Sequence, residues 1–430
     1  MLGGGTFTAM NKDLPGSYIN FVSASQANSE ISDRGIAAMA LELDWGPENE
    51  VFEMDAKTFQ EEGQKLLGYR YTAEQMQGLR DLFTNVRKLY AYRLNSGGTR
   101  AANDLCTAKY AGTRGNDLKI VVQETEDGTY EVKTLLGTVE VDAQEVAGIG
   151  ALTDNDWVSF NAEAELAVTA GTPLTGGMNG DVSEGAYTEF FGQISNYSYN
   201  ALGVVSADEA VKKEAAEFCR KMREDAGVKF QTVLYQYAAD YEGVVNVKNS
   251  VSGDDPAALV YWVTGIIAAC EVNKSNQNKA YTGEYEILAP YSQLELTKAL
   301  RAGEFVLHRV GQEFRVLDDV NSLVTLTEEK GEVFQNNQTI RVIDQIANDI
   351  AVIFNDRYFG KVQNDQSGRV SLWAEIVKHH QELAKIRAIE DFSEDDVTVS
   401  AGETKKSVIV TDAITVVNTM AQLYMTVKVS

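Results

Sequence analysis

Few residues in this 430-residue chain are of types that could do chemistry. The histidines are His308, His379 and His380, and the cysteines are Cys106, Cys219 and Cys270. There is no HExxH and no CxxC pair, so a zinc site would have to be assembled from scattered ligands. His379 and His380 fall in a stretch of helical periodicity. Adjacent helical positions point about 100° apart, so the two rings cannot chelate one ion together. The spacing implies one histidine facing the core and the other facing a neighbour. Three cysteines, odd in number, widely separated and set in apolar or helical contexts, read as buried reduced thiols rather than a disulfide framework.

Carboxylate pairs are abundant: Asp154 with Asp156, Glu163 with Glu165, Asp395 with Asp396. Glycoside hydrolysis needs two carboxyls at a set separation in a cleft, and nothing in the sequence selects a pair, so all three read as solvated surface. Residues 402–407, Gly-Glu-Thr-Lys-Lys-Ser, lack the first glycine of a phosphate-binding loop and precede a strand rather than a helix. Residues 180–185 have the wrong spacing for a GxSxG elbow. Asn196-Tyr197-Ser198 fits a glycosylation sequon, of no consequence in a cytoplasmic chain. No catalytic, cofactor-binding or metal-ligating residue is assigned, and no cofactor is expected.

Composition narrows the classes further. The length predicts two to four domains. The formal charge of -25 leaves no basic footprint for nucleic acid or anionic lipid. The longest apolar run, 259–270, is too short to span a membrane, so neither a nucleic-acid partner nor membrane insertion is expected. The first residues lack a basic region followed by an apolar one, so export by the general route is not expected. Charge is uneven: residues 120–190 hold fourteen acidic side chains against one basic, Lys133, whereas residues 1–23 are neutral and residues 401–430 carry a net +1.

The elements that would position these groups change character along the chain. Residues 35–43 read as a strand closed by Trp45-Gly46-Pro47, and 88–94 as another, with a helical region around Leu79, Leu82, Phe83 and Val86 between them. Residues 106–174 break into short strands, 118–123, 129–135, 138–141 and 157–160, which suggests a small β-sandwich with an acidic outer surface. Residues 201–205 and 228–235 flank a helix with Val211, Ala215, Phe218 and Met222 on one face, a βαβ unit with a buried parallel pair. Ser206 with Glu209, and Ser292 with Glu295, read as capping boxes. Asp255-Pro256 starts a further helix, and 305–310 with 314–317 reads as a hairpin.

Toward the C-terminus, 339–355 is an amphipathic helix with Ile343, Ile346, Ala347, Ile350 and Phe354 on its apolar stripe. Residues 371–389 form a second helix with Leu372, Ile376, Leu383 and Ile386 inward, and 407–411 a strand. Both chain ends are strand-like: Ser17, Tyr18, Ile19, Asn20, Phe21 and Val22 follow a Pro15-Gly16 turn. At the other end Leu423, Met425, Val427 and Val429 alternate with Tyr424, Thr426 and Lys428. Neither piece is long enough to bury a core of its own, so each must pair with something.

In this order the elements resemble the tail sheath proteins of contractile-tailed phages and phage-tail-like bacteriocins along nearly the whole chain. The similar segments are Pro15-Gly16-Ser17-Tyr18-Ile19; the run from Lys109 to Leu118 (KYAGTRGNDL) entering the sandwich; Leu174 to Gly180 (LTGGMNG) leaving it; Arg341-Val342-Ile343-Asp344; Tyr358 to Asn364 (YFGKVQN); and Leu423 to Val427. Ser17 departs from the pattern, where family members often carry an apolar residue.

The resemblance implies an α+β multidomain fold. Its expected parts are an N-terminal arm (1–23), an α/β sheath domain in two pieces (24–96 and 179–329) with a small β-sandwich inserted (97–178), and a C-terminal α+β sheath domain ending in a terminal strand arm (330–430). It implies a structural subunit rather than an enzyme, one that polymerises with itself as stacked hexameric rings in a helical sheath around an inner tail tube protein. Baseplate and tail terminator proteins are the other implied partners. Assembly is expected in the bacterial cytoplasm, as part of a virion tail or phage-tail-like particle. The arm residues Ser17 to Val22 and Leu423 to Val429 are expected to enter neighbouring subunits, and Lys378, Lys385 and Arg387 to face the tube. An α/β enzyme and a surface-layer protein are the alternatives that composition leaves open.

Overall fold

The computed structural model describes residues 31–429, so the expected strand Ser17 to Val22 lies outside the described residues. The chain forms two compact units, one holding residues 31–38, 78–88 and 194–429, the other 39–77 and 89–193.

In the first unit the expected βαβ arrangement is present. Ala201–Val204 and Gln231–Tyr235 are parallel, with Ala201 opposite Gln231, and the crossover is the helix Glu209–Lys221. Val244–Val247 adds to Gln231–Tyr235 in parallel, and Glu304–Phe305 adds to Val244–Val247. The central strands are buried at every position, as a sheet covered on both faces requires. Covering it is Leu259–Ala269, the longest apolar run of the sequence: this is a core helix, with Val260, Trp262, Val263, Ile266 and Ile267 fully buried.

Two helix starts differ from expectation. The cap of Glu209–Lys221 is Asp208, whose Oδ1 accepts from the Ala210 amide at 2.7 Å. Ser206 Oγ accepts from the Asp208 amide, and Glu209 turns to Lys212. Asp competes with Ser for capping, and here the residue nearer the first turn wins. At Asp255-Pro256 the aspartate holds only a preceding turn, accepting from the Ala257 amide at 2.9 Å, and the helix proper begins at Leu259. The box at Ser292 and Glu295 is formed as expected. The hairpin Leu307–Val310 with Glu313–Val316 turns at Gly311, whose φ is 64°.

The C-terminal part of this unit holds Asn337–Ile353 and Gln366–Lys385, capped by Asn336 and Asp365. After them comes the hairpin Val397–Ala401 with Val408–Asp412, and Ile389–Glu390 pairs with Thr415–Val416. Residues 402–407 are that hairpin's turn.

The second unit contains the inserted sandwich. Its main sheet has the order Thr169–Pro173, Leu118–Glu124, Tyr130–Leu136, Val139–Val146, and a smaller sheet pairs Cys106–Ala108 with Val158–Phe160. Leu118, Ile120 and Val122 point inward in strict alternation and pack with Val132, Leu136, Trp157, Val158 and Leu174. Trp45 closes this core, stacked on Trp157 at 5.5 Å and edge-on to Tyr110 at 5.3 Å, with Nε1 donating to the Lys65 carbonyl.

The glycine motifs that enter and leave the sandwich meet each other. Asn116 Nδ2 donates to the Gly177 carbonyl and the Gly177 amide donates to Asn116 Oδ1, both at 2.8 Å. Gly112 has φ 137°, and a Cβ there would lie 1.9 Å from the Asp44 carbonyl, so only glycine allows the approach.

Candidate assembly surfaces and the buried polar seam

The helix Asn337–Ile353 is amphipathic as expected, but it buries polar side chains beside the fully buried Ile340, Val342, Ala351 and Ile353. Arg341, Asp344, Gln345 and Asp349 are buried, while Ile343, Ile346, Ala347 and Ile350 are only half-buried. Each of the four polar side chains has at least one partner, which is the condition for tolerating it, although Arg341 Nε has none. Arg223 meets Asp344 through two parallel bonds of 2.6 and 2.8 Å and donates a further 2.7 Å bond to the Phe230 carbonyl. Burial works against the charge on Arg223, yet the Asp344 carboxylate, by its charge and its hydrogen bonds, holds the guanidinium above its ordinary value. Arg341 donates to the Lys274 carbonyl at 2.8 Å and to Asp319 at 3.2 Å. Asp319 in turn accepts from the Asn276 amide and from Asn337. Asn348 bonds both the amide and the carbonyl of Lys229.

The histidines continue this seam. Both His379 and His380 are fully buried, which corrects the expectation that one faces outward. His379 Nε2 lies 2.9 Å from Asp349, and His380 Nε2 lies 2.9 Å from Asp412 without hydrogen-bond geometry. As the helical geometry requires, they turn to different carboxylates.

Lys378 and Lys385 stand seven residues apart on the outer face of Gln366–Lys385. The exposed positions of that helix are Gln366, Ser367, Val370, Ser371, Ala374, Lys378, Gln381 and Lys385. This stripe carries no carboxylate in a chain of charge -25. Lys385 reaches Glu382 at 3.2 Å, an exposed pair of little energetic weight. Arg387, exposed just past the helix, adopts a left-handed φ of 62° where the helix ends.

The chain's last segment is held at its root and then let go. The Val417 amide donates to the Ala388 carbonyl, and the side-chain amide of Gln338 does the work of a strand neighbour. Its Nε2 donates to the Val417 carbonyl and its Oε1 accepts from the Thr419 amide, both at 3.0 Å. Beyond it, residues 420–429 form no strand and have no strand partner among the described residues. Leu423 is 85% exposed, Met425 75% and Val429 92%. The clamp at Gln338 was not read from the sequence, since a glutamine in a helical first turn looks like any solvated position.

The sandwich surface is acidic as expected. Lys133 is shared between Glu131 and Glu140. A shallow cavity lined by Lys65, Lys109, Asp142, Asn155, Asp156 and Trp157 has its polar groups engaged with one another, Lys65 with Asp156 at 2.8 Å and Asn155 with Asp142 at 2.9 Å. Among the described residues no group of three or more His, Cys, Asp or Glu is placed to hold a metal ion, and no helix is long and apolar enough to cross a membrane.

Comparison with known proteins gives this geometry a context. Four family models match in succession. They are the tail sheath protein Gp18 domain III N-terminal region over residues 34–94, the phage tail sheath protein beta-sandwich domain over 96–179, the phage tail sheath protein central domain over 180–322, and the phage tail sheath C-terminal domain over 329–430. The crystal structure of a sheath tail protein from Desulfitobacterium hafniense is 35% identical, covers 90% of this chain and 93% of its own, and superposes with a TM-score of 0.78. The phage-like element PBSX protein XkdK of Bacillus subtilis is 28% identical, with both chains covered in full. The anti-feeding prophage helical sheath in its contracted state shares the fold at 13% identity, with a TM-score of 0.57 over 97% of this chain and 99% of that one.

Proposed function

Because this chain belongs to the phage tail sheath family and is a structural subunit of such a sheath, we propose that it polymerises around an inner tube by strand exchange between subunits. Contraction of that polymer drives the tube through a target envelope. The observation that carries the reading is the C-terminal segment: an alternating, apolar stretch, anchored at Gln338 and fully exposed beyond it. Such a segment completes a sheet in another copy, its main chain giving affinity and its alternate side chains giving register. The hairpin Val397–Ala401 with Val408–Asp412 is a two-stranded sheet among the described residues, with outer edges able to receive a strand. Ser17 to Val22 is the matching N-terminal donor.

One arm alone is weak, since each main-chain bond contributes only about 1 kcal/mol net. Several arms engaged at once act multivalently and hold the lattice while the bodies move. The contacts are head-to-tail, so they propagate into stacked six-subunit rings instead of closing into a dimer. The extended sheath is then a state kept by a kinetic barrier, and contraction needs no nucleotide. The fold of the contracted anti-feeding prophage sheath supports this reading.

The finer assignments follow. The chain divides into an N-terminal arm (1–23), two pieces of the α/β domain (24–96 and 179–329), the sandwich (97–178) and the C-terminal domain (330–430). It has no catalytic role. It assembles in the bacterial cytoplasm, with the tail tube, baseplate and terminator proteins as partners, and becomes part of a phage or phage-like tail particle. Lys378, Lys385 and Arg387 face the tube, where a surface that must release cleanly favours screened charge over apolar burial.

Negative-stain microscopy of purified protein tests the core of this. Full-length protein is expected to form hollow cylinders, and protein lacking residues 420–430 only short or no polymers. Full-length cylinders from the trimmed chain would overturn the strand-exchange reading. Reversing charge at Lys378, Lys385 and Arg387 is expected to weaken co-assembly with the tube, and unchanged co-assembly rejects that assignment alone.

A further inference from the structure

We propose that His379 and His380 form a lock that joins the roots of the two arms, so that load on either arm reaches the other through adjacent positions of one helix. The proposal rests on the reading of the chain ends as exchanged arms.

The N-terminal root is tied through His379. Its Nε2 lies 2.9 Å from Asp349 Oδ2, and the Asp349 carboxylate accepts from Ser32 Oγ and from Gln345 Nε2. Gln345 Nε2 also contacts Ser32 Oγ at 2.7 Å and donates to its carbonyl at 3.2 Å. Two residues on, Arg34 Nε donates to the Cys270 carbonyl at 2.8 Å and Nη2 to that of Ile267 at 3.2 Å. The stretch that follows the N-terminal arm is thus pinned within its first few described residues.

The C-terminal root is tied through His380. Its Nδ1 lies 2.9 Å from the Ile376 carbonyl and its Nε2 2.9 Å from Asp412 Oδ2, with the Phe392 ring packed at 5.2 Å. Asp412 ends the strand Val408–Asp412. From there the chain runs through Thr415–Val416, paired with Ile389–Glu390, to the Gln338 clamp and the free segment. The two imidazoles are 5.5 Å apart, edge to face.

Two adjacent buried polar rings are an expensive way to fill a core, because each must find a partner or forfeit its hydration. Apolar side chains would pack the same helix face at less cost. What the histidines add is reach: each turns to a carboxylate from a different element, and each carboxylate is next to a different arm root. A packing role alone requires neither coincidence.

Hydrogen exchange on the full, unassembled chain tests the lock, with variants His379→Ala, His380→Ala, Ser32→Ala and the milder Asp412→Asn. His380→Ala and Asp412→Asn are expected to speed exchange about tenfold in residues 408–419, and His379→Ala and Ser32→Ala to do so in residues 31–35. Each is expected to speed the opposite root several-fold, while the strand Gln231–Tyr235 keeps its protection. His380→Gln, which keeps an amide donor toward Asp412, is expected to restore most of the protection at 408–419. Uniform loss across the unit, no change at either root, or an effect confined to the near root would each overturn the proposal. If a histidine variant fails to fold, Ser32→Ala and Asp412→Asn carry the same test. Strand exchange between copies is read separately, by microscopy of the trimmed chain, so the two claims fail on different measurements.

Discussion

The helix Asn337–Ile353 and the segment 420–429 contrast in what they bury. The helix buries Arg341, Asp344, Gln345 and Asp349 beside Ile340 and Ile353, while Ile343, Ile346 and Ile350 are only partly buried. The terminal segment exposes Leu423, Met425, Val427 and Val429 almost completely. Judged by polarity alone, the charges of the helix and the hydrophobes of the tail are in the wrong place. The difference teaches that burial follows the available partners. Arg341 and Asp344 meet counter-charges and Asp349 accepts hydrogen bonds from the same unit, whereas the hydrophobes of the tail have no partner among the described residues of their own chain.

That comparison can be broken most sharply at the Arg223–Asp344 pair. Asp344→Ala leaves a buried guanidinium uncompensated and is expected to cost about 3–5 kcal/mol, measured as a fall in the urea midpoint at unchanged slope. The double variant Arg223→Met with Asp344→Leu is expected to recover most of it, because a well-packed apolar pair of similar size replaces a buried ion pair with little loss. A cost below about 1 kcal/mol for the single change would mean the seam is wetter than its geometry implies.

At the junction of the two regions, Gln338→Ala removes two hydrogen bonds to the arm root. It is expected to cost about 1–2 kcal/mol and to raise amide exchange at residues 417–419 before anywhere else. Deleting 420–430 is expected to leave the unfolding free energy within about 0.5 kcal/mol of the intact chain, since residues 420–429 are exposed and have no strand partner among the described residues. A marked destabilisation would show that the tail packs on its own body.

The smallest expected effect is on the thiols. Burial pushes Cys106 up to about 12 and Cys219 up to about 11, and it also raises Cys270. At pH 8 the native chain is expected to leave a thiol reagent unconsumed until denaturant is added, because the reactive thiolate is not formed. Prompt labelling of one cysteine would locate an opening in one of the two units.

Much of the fold was legible because its signals are local. The parallel pair around Glu209–Lys221 followed from two apolar runs flanking a helix, and the sandwich from the spacing of short strands between 118 and 160. Cap positions were less legible, since Ser206 and Asp208 are chemically near-equivalent caps and the sequence does not say which begins the turn. The burial of Arg341, Asp344, Gln345 and Asp349 on Asn337–Ile353 was illegible: an amphipathic pattern says that two faces differ, and the usual inference leaves the polar one to solvent. Similarly, His379-His380 announces two divergent rings but not the carboxylates, thirty or more residues distant, that they would find.

What the sequence by itself determined is therefore the set of elements, their order and the acidic sandwich, all properties of residues close together in the chain. Only the tertiary structure decided which charges go inside, where the C-terminal arm is clamped, and that both histidines are buried on separate aspartates. The physical reason is that an unpaired charge and a paired one have the same sequence but opposite burial energies, and pairing is settled only when distant segments meet.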